Sequence, residues 1–255
     1  MGHAGCLLLH GFSGSPLEMI PLADVLEAEG WTVSNPALAG HMTSPRDLAK
    51  TSWPQWVRSA RDAYEALSRR CERVAVLGMS MGGAVALHLG VTERPDAVVA
   101  ISTPSRVRPL IVRASRAASK VMRLAPIPFR LGPKDPQVRR YRSPYRAYPL
   151  GGPAEVASLL DETRQLLPSL RAPLLIVQGR RDRVIPRESA HEIADLVTAA
   201  PVEVLWLPRS GHVVTLDKER DVCFDEVRSF LTRYLHVPER SEHAQRHGGE
   251  ETQQE

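Results

Sequence analysis

The sequence has few of the residues that carry metal, redox or disulfide chemistry. Its three cysteines, Cys6, Cys71 and Cys223, lie far apart and lack the spacing of metal ligands. Scattered cysteines favour buried, reduced thiols and predict a cytoplasmic location. Phosphate-binding loops, dinucleotide-binding motifs and zinc motifs are missing as well, so we expect neither a cofactor nor a metal.

Long apolar runs and aromatic residues are also scarce. No run approaches the roughly 18 residues that a membrane span needs, and the first residues, MGHAGC, are too few for the apolar part of a secretory signal. Aromatic residues make up 5% of the chain, and its basic region matches no recognised nucleic-acid-binding module. We therefore expect no nucleic-acid partner. A chain of 255 residues with 43% hydrophobic content can bury one large core.

The most informative run that is present is VAVLGMSMGG, at residues 74–83. A β-branched, apolar stretch ends in G-x-S-x-G at Gly78, Ser80 and Gly82, and a helix-compatible segment follows. The order of strand, tight turn and helix is that of a nucleophile elbow, which holds the serine hydroxyl clear of the backbone. Gly78 and Gly82 leave space for the crowded backbone of such a turn. The run predicts that Ser80 is the nucleophile of a serine hydrolase.

A serine nucleophile needs a general base, and the base needs a carboxylate that orients it. Asp182 follows an apolar run at 173–177, and His212 follows a second such run at 202–207. The 30 residues between Asp182 and His212 suit a loop, a helix, a strand and another loop. Because parallel strands end at the same edge of a sheet, we expect these two side chains to meet Ser80 there.

The developing oxyanion needs two N–H donors. One is expected from Met81, directly after the nucleophile, and the other from Phe12, in the loop that follows the first apolar run. His10 lies in the same loop, and we expect it to brace the loop by hydrogen bonding. The side chains of Phe12, Met79 and Met81 are expected to bind substrate as pocket lining.

Four segments, LLLHGFSGSP, GMSMGG, QGRRDRVIP and SGHVVTLDKERD, resemble the α/β-hydrolase superfamily. They look most like its small bacterial carboxylesterases and monoacylglycerol lipases, and the resemblance covers most of residues 5–236. It implies that Ser80 is the nucleophile, Asp182 the orienting carboxylate and His212 the base, with Phe12 and Met81 as oxyanion donors. At residues 40–42 the chain has Gly-His-Met where the family often has Gly-His-Gly.

The pattern of elements predicts an α/β fold. Strands are expected near 5–9, 31–36, 73–78, 96–101, 172–178 and 202–207, and helices near 16–29, 54–69, 81–90, 187–198 and 217–234, with Asp217 as the N-cap of the last helix. This alternation predicts a mostly parallel sheet of about six strands with helices on both faces. Residues 1–104 and 168–238 form the predicted hydrolase core, residues 105–167 an inserted cap, and residues 239–255 a disordered tail.

The predicted cap is strongly basic. Residues 106–146 contain twelve Arg or Lys residues and a single acidic one, Asp135. Residues 107–125 have the apolar period of a basic amphipathic helix. Such a helix either covers the acyl pocket with its apolar face or contacts a membrane surface. We favour the first interpretation, because arginine is abundant throughout this chain.

These observations predict a serine hydrolase that cleaves carboxylic esters through an acyl-enzyme on Ser80. The expected substrates are small and lipid-like, either short- to medium-chain acyl esters or monoacylglycerols. Two alternatives stay open for the same three residues, a thioesterase and a carbon–carbon bond hydrolase. A ligand-binding receptor with little turnover is a further alternative, since a fold does not by itself fix a function.

Overall fold

The structure is a computed structural model that describes residues 4–126, 141 and 145–235, so the predicted tail at 239–255 lies outside the described residues. The strands are β1 (Ala4–Leu9), β2 (Thr32–Ser34), β3 (Arg73–Met79), β4 (Ala97–Ile101), β5 (Leu124–Pro126), β6 (Ala147–Pro149), β7 (Leu174–Gly179) and β8 (Val202–Leu207). The helices are α1 (Ile20–Ala28), α2 (Pro45–Leu48), α3 (Trp53–Ser68), α4 (Met81–Thr92), α5 (Pro109–Val121), α6 (Gly152–Leu166), α7 (Glu188–Leu196) and α8 (Arg220–Leu235).

The main sheet has six strands in the order β2-β1-β3-β4-β7-β8, and every neighbouring pair is parallel. The predicted α/β fold is therefore confirmed, with each predicted strand present. Two local predictions were wrong. The segment predicted as a helix from residue 16 begins with a 3-10 turn at Pro16–Met19, and the last helix begins at Arg220, so Asp217 is not its N-cap.

Two buried clusters lie on the two faces of this sheet. Successive side chains of a strand point to opposite faces, so Val74 and Val76 of β3 join one cluster while Ala75 and Leu77 join the other. The first cluster is covered by α3, α4, α6 and α7, and the second by α1 and α8. Burial on both faces explains why the strands read as continuous apolar runs.

The register of the strands places their carboxyl ends along one edge. Leu9 of β1 pairs with Gly78 of β3, and Gly179 of β7 pairs with Leu207 of β8. The segments that follow these four strands carry the predicted site residues. In an open parallel sheet this edge is where ligands bind.

The segment between β4 and β7 contains α5, α6 and the antiparallel pair β5–β6. Helix α5 turns the buried Ser115 toward the loop between β6 and α6, where the Ser115 hydroxyl donates a hydrogen bond to the Leu150 carbonyl at 2.6 Å. Part of its apolar stripe is not covered, and Leu110 and Val121 are 77% and 91% exposed. The favoured interpretation, that the apolar face covers the acyl pocket, is confirmed only in part, because Val107 and Ile111 of that face line the cavity over Ser80 whereas Leu110 and Val121 do not. No helix of the described ranges is long and apolar enough to cross a membrane.

Candidate active site

Ser80 occupies the tight turn between β3 and α4. Its φ is 57° and its ψ is −118°, a conformation that a residue with a side chain rarely adopts and that is typical of functional sites. The turn is held by the Ser80 N–H, which donates to the Ile101 carbonyl at 2.8 Å. A Cβ at Gly78 would overlap the backbone of Gly82, and a Cβ at Gly82 would overlap the Leu9 carbonyl. Both glycines are therefore required by the close approach of three backbone segments.

The structure brings Ser80, Asp182 and His212 together. The Ser80 hydroxyl lies 3.1 Å from His212 Nε2, and His212 Nδ1 lies 2.8 Å from Asp182 Oδ2. With Nδ1 protonated, the imidazole donates to the carboxylate and accepts from the hydroxyl. The Asp182 side chain is fully buried, whereas that of His212 is 20% exposed. This line of three groups can move a proton away from the serine oxygen.

The environment of Asp182 keeps its carboxyl group ionised. Burial alone would raise its pKa, but the hydrogen bond from His212 and the N–H groups of Val184 and Ile185 outweigh burial and hold the pKa below its usual range. The two N–H groups bind Asp182 Oδ1 at 2.8 and 2.9 Å. The Gln178 amide adds a contact of 3.3 Å to Oδ2. Gln178 is fully buried at the end of an apolar strand. A glutamine in an apolar run is unusual, and this position is the feature of the sequence that could have indicated its contact with Asp182.

Two carboxylates that the sequence analysis did not assign to the site hold the loop before His212. Asp217 Oδ2 accepts the N–H of Gly211 at 2.6 Å. Glu219 Oε2 accepts the N–H of Arg209 at 2.7 Å and the hydroxyl of Ser210 at 2.8 Å. These bonds fix the backbone from which the imidazole projects.

The loop after β1 lies against the elbow. His10 braces it as expected, because His10 Nε2 accepts the N–H of Leu38 at 3.1 Å. Phe12 N–H takes part in no hydrogen bond within the part of the chain that the structure describes. Met81 is the first residue of α4, a position whose N–H has no acceptor inside the helix. Two N–H groups therefore stay available near Ser80, although their role as oxyanion donors remains a prediction.

Two histidines are buried behind this loop. The rings of His10 and His41 meet edge to face with centroids 4.7 Å apart. Burial lowers the pKa of His10 to about 3 and that of His41 to about 4. Both imidazoles are thus neutral at pH 7, and the loop carries no charge of its own next to the elbow.

A cavity of about 680 Å³ opens over Ser80, a size typical of small-molecule sites. It is lined by apolar residues and by charged residues at its mouth: Phe12, Met81, Pro104, Arg106, Val107, Arg108, Ile111, Tyr148, Pro153, Val156, Asp182, Arg183, Val184, Ile185, Pro186, Arg187 and Glu188, besides Ser80. Phe12 and Met81 therefore lie where the sequence predicts. Met79 does not line the cavity, because its position on β3 turns it to the opposite core cluster, which corrects its predicted contact with substrate.

The ring of Phe12 forms one wall of this cavity. It packs edge to face on Tyr148, with centroids 5.5 Å apart, and burial raises the pKa of the Tyr148 phenol to about 12. A Cβ at Gly152 would overlap the Phe12 ring. Among the residues that the structure describes, no three His, Cys, Asp or Glu side chains are placed to share a metal ion.

Comparisons with known proteins identify relatives of this chain. The profile of the Hydrolase_4 family, described as serine aminopeptidase S33, matches residues 2–219. The chain is 30% identical over 233 residues to a carboxylesterase of Bacillus subtilis (strain 168), covering 91% of this chain and 94% of that protein. It is 31% identical over 236 residues to a thermostable monoacylglycerol lipase of Bacillus sp. (strain H-257), covering 91% and 92%.

A solved structure from work on LipS and LipT, two metagenome-derived lipolytic enzymes, is similar throughout. Its TM-score is 0.82 at 28% sequence identity, and the match covers 91% of this chain and 95% of that chain.

Proposed function

Since the chain belongs to the Hydrolase_4 family and is an ester-hydrolysing serine hydrolase, we propose that Ser80 is its nucleophile. The observation that carries this assignment is the line of hydrogen bonds from the Ser80 hydroxyl through His212 to Asp182. Each of the three groups sits just beyond the carboxyl end of a different strand, on one edge of the sheet.

The reaction follows from the positions of the groups. His212 Nε2 takes the proton of the Ser80 hydroxyl while the serine oxygen attacks the ester carbonyl. The N–H groups of Phe12 and Met81 stabilise the oxyanion, and removing one such donor typically costs about 10²–10³ in rate. His212 then protonates the leaving alcohol, and an acyl-enzyme remains on Ser80. Water, activated by the same imidazole, releases the acid and restores the serine.

The substrate class that we propose is short- to medium-chain acyl esters or monoacylglycerols. Relatives named carboxylesterase and monoacylglycerol lipase support it, as does the mainly apolar lining of the cavity. The family description also names an aminopeptidase. A peptidase of that kind must bind a protonated amino terminus, and the arginines at the mouth of the cavity have the wrong sign for it.

We propose that residues 105–167 act as a cap over this cavity. Val107 just before α5, Ile111 of α5 and Tyr148 of β6 all line the cavity, which supports the assignment. The C-terminal half of α6, by contrast, buries Leu159 and Leu160 in the main core, so that part of the segment is anchored to the body. The expected cytoplasmic location stays a prediction.

We further propose that α5 contacts an anionic membrane surface. Its exposed apolar residues outside the cavity, Leu110 and Val121, support this, and Arg113 and Arg116 flank them. The test is co-sedimentation with phosphatidylglycerol vesicles. Leu110→Asp should abolish binding, whereas Val222→Asp, at a 49% exposed position on α8, should leave it intact. Absence of binding by the wild-type protein at low salt contradicts the proposal.

Replacement of the nucleophile tests the function. Ser80→Ala should lower kcat for 4-nitrophenyl butyrate by a factor of about 10⁵ or more while the fold is retained. A series of 4-nitrophenyl esters of increasing acyl length, with monoacylglycerols alongside, then defines the preferred chain. Turnover by Ser80→Ala at the wild-type rate would refute the assignment.

A further inference from the structure

Three arginines that have no ion-pair partner among the described residues line the catalytic cavity. Arg108, Arg183 and Arg187 all line the same cavity as Ser80. Each is exposed, and none forms an ion pair with any residue of the described ranges. A fourth arginine of the lining, Arg106, is already bound to Glu192 at 2.9 Å. Within the part of the chain that the structure describes, these three guanidinium groups are therefore available to a ligand.

The position of two of these arginines is not explained by local stability. Arg108 is the N-cap of α5 and Arg187 is the N-cap of α7, and neither side chain caps its helix. Ser, Thr, Asp and Asn are preferred at that position, and a positive charge there is unfavourable to the helix. Residues that break such a local rule are expected where function requires them.

The third arginine is held close to the catalytic carboxylate. The turn that contains Arg183 is fixed, because Asp182 Oδ1 accepts the N–H groups of Val184 and Ile185. Glu188 is the one carboxylate of the lining, besides Asp182, and it offsets only part of the positive charge. The exposed charged residues of the lining, which mark the mouth of the cavity, are thus mainly cationic.

We propose that, among the esters cleaved at this site, those that carry an anionic group, a carboxylate or a phosphate, are preferred because Arg108, Arg183 and Arg187 bind that group at the mouth. The inference rests on the proposed ester hydrolysis and names its substrate class. Guanidinium groups bind carboxylate and phosphate oxygens with paired hydrogen bonds, and a cationic mouth raises the encounter rate with anionic substrates.

The test compares two pairs of esters that differ in charge. The first pair is 4-nitrophenyl hydrogen glutarate and neutral 4-nitrophenyl valerate, which place or omit a carboxylate on the acyl side. The second is 1-butyrylglycerol 3-phosphate and neutral 1-monobutyrin, which place or omit a phosphate on the alcohol side. In at least one pair we expect kcat/KM to favour the anionic ester about tenfold at low ionic strength, and salt at about 0.5 M to remove most of that preference.

Variants assign the preference to the three arginines. Replacing Arg108, Arg183 and Arg187 together by Gln should bring the ratio of kcat/KM values close to one, mainly through KM of the anionic ester. Arg58→Gln, at an exposed position of α3 away from the cavity, should keep the wild-type ratio.

Two results would overturn the inference. One is equal kcat/KM for the anionic and the neutral ester in both pairs, and the other is a preference that survives salt and the triple replacement. Failure of the proposed function is a separate outcome, because the enzyme would then cleave neither member of either pair.

Discussion

Asp182→Asn separates the orienting role of this residue from its packing. Oδ1 of the native carboxylate accepts the N–H groups of Val184 and Ile185, so these donors will select the carbonyl oxygen of the substituted amide for that position. The amide NH₂ then faces His212 Nδ1, where the carboxylate oxygen stood at 2.8 Å. Nδ1 must become the acceptor, and the ring proton moves to Nε2. A protonated Nε2 cannot take the proton of Ser80.

The expected loss in kcat is about 10⁴-fold, which corresponds to about 5 kcal/mol of transition-state stabilisation. Initial rates with 4-nitrophenyl butyrate measure it, and a thermal unfolding curve shows that the fold is intact. Asp96→Asn is the matched control, since Asp96 accepts the N–H of Val74 at 2.7 Å at the far end of β3. Its kcat should equal that of the wild type. A kcat of Asp182→Asn within tenfold of the wild type would refute the assigned tautomer.

Three further changes probe the supports of the site. Glu219→Gln weakens the loop before the imidazole and should lower kcat about tenfold in steady-state assays, a cost of ~1.4 kcal/mol that is typical of one hydrogen bond to a charged group. Burial lowers the pKa of His10 to about 3 and that of His41 to about 4, whereas an ordinary histidine has a pKa of 6.5. Below pH 6.5 the unfolded chain therefore binds more protons than the folded chain. The urea concentration at the unfolding midpoint should therefore decrease as the pH is lowered from about 7 to about 4.5. A midpoint that does not change with pH would contradict this burial. Gly152→Ala forces the Phe12 ring aside and should cost about 1–3 kcal/mol in the free energy of unfolding and alter KM for acyl esters; unchanged values would show that the ring is free to move.

The main features of the site follow from the sequence because they depend on strand order. Ser80, Asp182 and His212 each come shortly after an apolar run, and parallel strands end at one edge. The glycines of the elbow also indicate the position of the nucleophile, since only a residue without a side chain fits in such a tight turn. Backbone geometry alone therefore indicates which groups meet.

The direction of individual side chains and the contacts that hold the loops cannot be predicted from the sequence in the same way. Met79 precedes the elbow serine by one residue, and the alternation along β3 turns it to the opposite core. The role of Asp217 depends on the Gly211 N–H, which lies next to it only after the loop has folded. The rotation of α5 depends on Ser115, a small polar residue on the side of the helix that an apolar pattern predicts to be solvent-exposed. Each of these needs a contact between segments, which no local pattern encodes.

Covalent labelling of the nucleophile tests the central claim most directly. The wild-type protein is incubated with a fluorophosphonate, digested and mapped by mass spectrometry. We predict one equivalent of adduct, confined to the peptide that contains Ser80, with loss of ester hydrolysis in proportion to labelling. An adduct on another serine, or full activity after Ser80 has been labelled, would contradict the account.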